Sequence, residues 1–213
     1  MRDDDLVSTA PGTAGHWDEA YGHGDTTRSW FQAQAVQSAR MLDTSGITAA
    51  DGLIDVGGGA SRLVDALLAR GHIDLTVLDI SAAGLHAAQQ RLGAAAERVR
   101  WVVVDLLTWQ PARTYRVWHD RAVFHFLTTE PSRRRYLQVL DTATAADSVA
   151  VLATFAPGGP QQCSGLPVAR YSARELADLL GEHWLPIEND HEAHVTPAGG
   201  VQPFTWAAFR RQP

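Results

Sequence analysis

From Gly52 onward, short apolar runs alternate with stretches of helical periodicity, and this alternation constrains the fold more than any other feature. Leu53-Ile54-Asp55-Val56 reads as a buried strand. Ser61 to Arg70 reads as a helix with Leu63, Val64, Leu67 and Leu68 on one face and Gly71 as its stop. Leu75 to Leu78 is a second strand, and Ser81 is placed to cap a helix over Ala82 to Leu92. Strands at Val99 to Val104, Tyr115 to His119 and Ser148 to Phe155 follow, with a helix at Ser132 to Thr142. A capping-box pattern, Ser172-Ala173-Arg174-Glu175, opens a helix to Leu180. Two last strands are expected near Trp184 to Ile187 and Phe204 to Phe209.

Strand and helix at this spacing require a parallel sheet with helices on both faces. Right-handed crossovers make it a doubly wound, Rossmann-like α/β layer. Ligands of such sheets lie beyond the C-terminal strand ends, so chemistry is sought there. Residues 1–15 read as a loose tail, and His16 to Leu42 as an amphipathic stretch bearing Trp17, Tyr21, Trp30 and Phe31. Residues 1–45 are therefore expected to form a tail and aromatic lid, and 46–213 the sheet domain.

Composition narrows the function. Apolar residues make up 45% and charged residues 20%, enough for a sizeable core. The 213 residues contain no run of about 18 apolar residues, and the acidic start, Arg2-Asp3-Asp4-Asp5, leads into no apolar signal segment. We expect neither membrane nor secretion, and a cytoplasmic location. A net charge of −6 offers no surplus for nucleic acid. All 18 basic residues are arginine, which removes chemistry that needs a lysine Schiff base. The one cysteine, Cys163, allows no internal disulfide.

The first strand ends in Asp55-Val56-Gly57-Gly58-Gly59-Ala60-Ser61. The glycines permit a sharp turn and close approach of a ligand, or simply a tight turn. A dinucleotide fingerprint would need glycine at position 62, which is Arg62, and a phosphate-binding Walker loop would need a lysine. The second strand ends in Asp79, twenty residues after Gly59, where a carboxylate can accept both ribose hydroxyls. The third ends in Asp105-Leu106, where a carboxylate can meet an adenine amino group.

The order Asp55-x-Gly57-x-Gly59, Asp79, Asp105-Leu106 and Trp118-His119-Asp120 resembles that of class I S-adenosylmethionine-dependent methyltransferases over about residues 17–209. The family's third motif glycine is Ser61 here. The resemblance implies a seven-stranded sheet, mostly parallel with the last strand antiparallel, and S-adenosylmethionine as cofactor, leaving as S-adenosylhomocysteine. It places Gly57 and Gly59 at the methionine moiety, Asp79 at the ribose, and Asp105 with Leu106 at the adenine. Asp55, Gly58, Ile80, His119, Tyr21 and Trp30 complete the expected cofactor contacts.

Two segments are expected to shape the acceptor side. After the fourth strand, His119 and His125 are placed for proton work or merely for packing. Arg121 either binds an acceptor carboxylate or pairs with Asp120 or Glu130; Asp120-Arg121 is similar to a pair in thiopurine and thiol methyltransferases. The long connection Thr154 to Tyr171 carries Cys163, read as a packed bystander. His183, His191 and His194 match no zinc spacing, so no metal is expected.

These features read as methyl transfer by direct displacement to an N, O or S atom of a small-molecule acceptor, with no nucleic acid or membrane partner. His119, Arg121 and His125 are the expected catalytic residues. A protein lysine methyltransferase of similar fold is the alternative, suggested by Trp17-Asp18-x-x-Tyr21 followed by Ser29-Trp30-Phe31. A non-catalytic cofactor-binding module is the alternative of another class.

Overall fold

The computed structural model describes residues 12–22, 24 and 26–213; residues 1–11 of the tail expected over 1–15 lie outside them, while Ala14 and Gly15 belong to a helix instead. The chain builds, in order, α1 (Ala14–Gly22), α2 (Val36–Thr44), β1 (Leu53–Val56), α3 (Leu63–Ala69), β2 (Leu75–Asp79), α4 (Ala82–Leu92) and β3 (Val99–Val103). There follow β4 (Tyr115–Arg121), α5 (Glu130–Ala143), β5 (Thr144–Phe155), the short strands β6 (Gln162–Cys163) and β7 (Leu166–Pro167), α6 (Ala173–Leu180), β8 (Trp184–Val195) and β9 (Val201–Arg211). The main sheet has seven strands in the order β3-β2-β1-β4-β5-β9-β8. Only β9 runs against the others, pairing antiparallel with both β5 and β8.

Alternate side chains leave the sheet on opposite faces and fill two cores. One joins Leu53, Val77 and Trp206 of the sheet to Met41 and Leu42 of α2 and to Leu63, Val64, Leu67 and Leu68 of α3. The other joins Ile54, Trp118 and Phe209 to Tyr136 and Leu140 of α5 and Leu176 and Leu180 of α6. The expected apolar face of α3 is thus the buried one, although the helix runs from Leu63 to Ala69 rather than over the expected Ser61 to Arg70. α4 spans the expected residues, with Ser81 Oγ accepting from Gly84 N. α6 carries both halves of its capping box.

The fourth strand and the last two are longer than their apolar runs. β4 continues through Asp120, which is buried, and Arg121, which is half-buried at the cavity, rather than ending with its apolar segment. β8 and β9 form a hairpin of which only part contacts the core. β8 is the sheet's edge, so Glu188, Asp190 and Glu192 stand on its strand without an apolar alternation to mark them. Pro186 sits at a register shift, where a missing N–H does no harm. Among the described residues no helix is long and apolar enough to cross a membrane.

Candidate active site

A cavity of about 550 Å³ opens along the C-terminal ends of β1, β2, β3 and β4. This lies within the roughly 300–1,000 Å³ usual for small-molecule sites. It is walled by Asp55, Gly57, Gly58, Asp79, Ile80, Asp105 and Leu106, and also by His119, Arg121, Phe126, Cys163 and Leu166. Trp17, Tyr21, Trp30 and Phe31 also line it, so the N-terminal aromatics meet the strand ends.

The glycine turn is held from several sides. Gly57 adopts φ +65°, and a Cβ there would collide with Val123 Cγ2. Gly59 adopts φ +43°, and a Cβ there would collide with the hydroxyl of Tyr21. Gly59 is therefore covered by Tyr21 and does not itself line the cavity, unlike Gly57 and Gly58. Arg91 of α4 fixes the far side, donating to the carbonyls of Ala60 (2.9 Å) and Ser61 (2.7 Å) while pairing with Asp65. No local pattern marks Arg91, because its partners lie some thirty residues earlier.

Asp79 is 6% exposed and presents its carboxylate at the cavity wall. Oδ1 accepts from Ser81 N at 2.7 Å. Burial pushes its pKa up to about 7 against the pull of the Ser81 and Gly59 N–H groups, and Asp55 and Asp18 add to the rise. Such a carboxylate needs further donors to stay charged, and two ribose hydroxyls are such donors. Asp55 Oδ2 is likewise buried without a partner, a fit for an ammonium group. Asp105 Oδ1 accepts from Leu107 N at 2.8 Å, which fixes the β3 turn beside Leu106. The buried Asp79 carboxylate and the orphaned Asp55 oxygen, beside small residues, match the needs of an adenosyl amino acid.

On the acceptor side, His119 Nδ1 lies 2.7 Å from Asp55 Oδ1, the two residues facing each other in register on β1 and β4. A carboxylate has no proton to give, so Nδ1–H donates, and in the neutral ring this leaves the lone pair on Nε2. That Nε2 is buried with no hydrogen-bond partner. Asp120 is inside the fold: it accepts from Tyr136 Oη (2.7 Å), Val123 N (2.9 Å) and Phe124 N (3.1 Å), and Tyr136 in turn accepts from Trp118 Nε1. Burial lifts Asp120 to about 6 despite these donors. The bonds shape the turn that puts Ala122 at φ +72°, a conformation costing roughly 1–2 kcal/mol for a residue with a Cβ.

Arg121 pairs with neither Asp120 nor Glu130. Its Nη1 donates to the carbonyl of Trp30 at 3.1 Å, and its guanidinium lies 4.7 Å from the Phe204 ring centroid. Cys163 reaches the same region because Ser164 (φ +52°) and Gly165 (φ +77°) turn β6 into β7 in a two-residue hairpin. Burial pushes the Cys163 thiol up to about 11, so it is no nucleophile at neutral pH.

His125 requires a correction. It was expected to handle protons beside the acceptor, yet the structure buries it completely, away from the cavity lining. Both ring nitrogens lack hydrogen-bond partners, and the ring packs on Phe126 and Phe155 at 4.5 and 4.8 Å. Burial, helped by nearby Arg121, drives its pKa down to about 3. A ring that stays neutral and touches no ligand space cannot serve as the acid or base. His194, considered for a metal, instead bonds the carbonyl of Ser29 through Nε2 at 2.7 Å.

The sequence pattern did not reveal the role of Asp18. Its Oδ1 accepts from Ser81 Oγ (2.6 Å) and Ala83 N (3.0 Å), so α1 caps α4 from outside and seats Tyr21 against Gly59 and Gly84. Gln32 joins the same segment to β8 through Glu192 Oε1 at 2.7 Å.

Residues 53–146 match the family described as a methyltransferase domain. No curated protein matches the sequence. Among solved structures, a 1,6-didemethyltoxoflavin-N1-methyltransferase from Burkholderia thailandensis, bound to its acceptor and S-adenosylhomocysteine, superposes with TM-score 0.72 at 20% identity, covering 94% of this chain and 87% of that one. A methyltransferase from Anabaena variabilis gives 0.71 at 16%, covering 93% and 95%. The N-methyltransferase NodS from Bradyrhizobium japonicum gives 0.66 at 16%, covering 84% and 96%. Residues 53–146 thus form a methyltransferase domain, and the chain as a whole shares the fold of solved S-adenosylmethionine-dependent methyltransferases.

Proposed function

We propose that the enzyme methylates an N, O or S atom of a small molecule held under the N-terminal segment. The enclosure carries this reading: one cavity joins the Asp55 and Asp79 carboxylates at β1 and β2 to Arg121, and four N-terminal aromatic residues line it. A protein side chain would need an open trough to reach the same point. Two of the similar structures are named as small-molecule or N-methyltransferases, which agrees with the reading.

Bound S-adenosylmethionine supplies an electrophilic methyl group on a sulfonium. The chain's residues bind and orient. Asp79 holds the ribose, Asp105 and Leu106 with Ile80 hold the adenine, and Gly57, Gly58 and Asp55 hold the amino-acid end. Tyr21 and Trp30, packed edge-on at 6.1 Å, cover the cofactor and exclude water. His119 Nε2 takes the proton of an acceptor that arrives protonated, with Asp55 fixing its tautomer. Placement supplies the rest of the rate.

We assign the lid to the described residues between 12 and 35 rather than to the whole N-terminal part, since α2 gives Met41 and Leu42 to the core. The domain proper then begins with α2. A cytoplasmic location suits its one cysteine and its cofactor. The test is to incubate the protein with S-adenosylmethionine and panels of thiols, amines, phenols and carboxylates while following S-adenosylhomocysteine. Turnover with a small acceptor is expected; turnover only with protein substrates would contradict the reading.

A further inference from the structure

Arg121 makes no direct ion pair among the described residues, although the charges of Glu192 and Asp55 act on it. Nη1 is bonded to the Trp30 carbonyl, while Nε and Nη2 are buried and bonded to nothing among the described residues. The carboxylates that act on it are committed elsewhere. Glu192 accepts from Gln32 Nε2 through Oε1 and from Trp206 Nε1 through Oε2. Asp55 faces His119, and Asp120 turns to Tyr136 and the backbone of Val123 and Phe124. The other titratable neighbours are the His125 and His194 rings and the Cys163 thiol, all kept neutral by burial.

A buried guanidinium without an ion partner is strongly unfavourable, and proteins keep one where a ligand completes it. Arg121 lines the cavity, so a ligand can reach it. The donor's amino-acid end, carboxylate included, is the part assigned to Gly57, Gly58 and Asp55, and its sulfonium is itself a cation, which leaves Arg121 to the acceptor. Beside Arg121 the walls are apolar. Trp17 packs edge-on against Trp30 at 5.9 Å and against Phe126 at 5.2 Å, and Leu166 closes the side.

We propose that the acceptor is a small organic anion: its carboxylate pairs with the Arg121 fork, and its flat apolar body lies against Trp17, Trp30 and Phe126. The planar, two-pronged donor selects a carboxylate over a spherical anion. The Trp30 carbonyl on Nη1 ties the same side chain to the lid, so acid binding and lid closure support each other. This rests on the methyltransferase reading and narrows its substrate class.

The experiment loads the protein with S-adenosylhomocysteine and measures binding of benzoate, phenylacetate and indole-3-acetate against their amides by saturation-transfer NMR. Calorimetry with S-adenosylhomocysteine alone is run first: if it fails to bind, the methyltransferase reading fails. If it binds, the acid series tests the charge. At least one acid is expected to bind tenfold or more tightly than its amide. Arg121→Gln should abolish that preference with cofactor affinity held within about twofold, and Arg121→Lys should keep part of it. No acid outbinding its amide, whether both bind or neither does, overturns the proposal. So does an acid preference that survives in Arg121→Gln. The wild-type comparison decides the matter by itself if Arg121→Gln does not fold.

Discussion

The buried carboxylate of Asp79 makes cofactor binding sensitive to pH in a direction that can be worked out. In the cofactor-free protein its pKa stands at about 7, raised chiefly by burial. Ribose hydroxyls donate to the ionised carboxylate, so only that form binds well, and the apparent dissociation constant scales as one plus the ratio of protonated to ionised Asp79. With a pKa of about 7 that factor is about 11 at pH 6 and about 1.1 at pH 8, a tenfold tightening worth about 1.4 kcal/mol. The probe is 5′-methylthioadenosine, which keeps the ribose but lacks an amino-acid tail that would itself titrate. Calorimetry in two buffers of different ionisation enthalpy should also detect about half a proton released on binding at pH 7. Asp79→Asn should bind more weakly and show no slope between pH 6 and 8. A wild-type affinity that stays flat, or falls with rising pH, would refute the assignment of Asp79 to the ribose.

Three further outcomes are expected. Gly57→Ala meets both a left-handed backbone and Val123 Cγ2, so unfolding should show a loss of about 2–5 kcal/mol; Val123→Ala in the same chain should recover only the packing part. His125→Phe removes two unbonded ring nitrogens from an apolar box, so stability should hold or rise by about 1 kcal/mol and turnover should stay within twofold. Because only the unfolded chain protonates this ring between about pH 6.5 and 3, its contribution is complete above about 6.5 and falls on acidification, and the Phe variant should lose less. A tenfold drop in turnover with the fold intact would restore a proton role to His125. Asp18→Ala deletes the outside cap on α4, costing about 1 kcal/mol in thermal or denaturant unfolding, and should speed proteolysis within residues 12–35; an unchanged cleavage rate would show that Asp18 does not hold the lid.

The parallel sheet was legible because β1, β2 and the later part of β5 are buried on both faces and so appear as short, mostly apolar runs. The same logic hid the ends of β4 and most of β8. His119, Asp120 and Arg121 are polar residues inside the protein, each excused from the apolar rule by a partner or a cavity. The strand-end acids were visible from spacing, and the structure gathers Asp55, Asp79 and Asp105 on one cavity. His125 misled because a histidine near a strand end gives the same letter whether it faces a ligand or a box of phenylalanines. Arg91, Asp18 and Glu192 were invisible as site supports, since each acts on residues tens of positions away.

A crystal structure with S-adenosylhomocysteine tests the central claim most directly. The account predicts the ribose hydroxyls on Asp79, the adenine beside Ile80 and Leu106, and the homocysteine end over Gly57 and Gly58 toward Asp55. Density for the ligand anywhere other than these strand ends, or an adenosine with its ribose turned from Asp79, would contradict it.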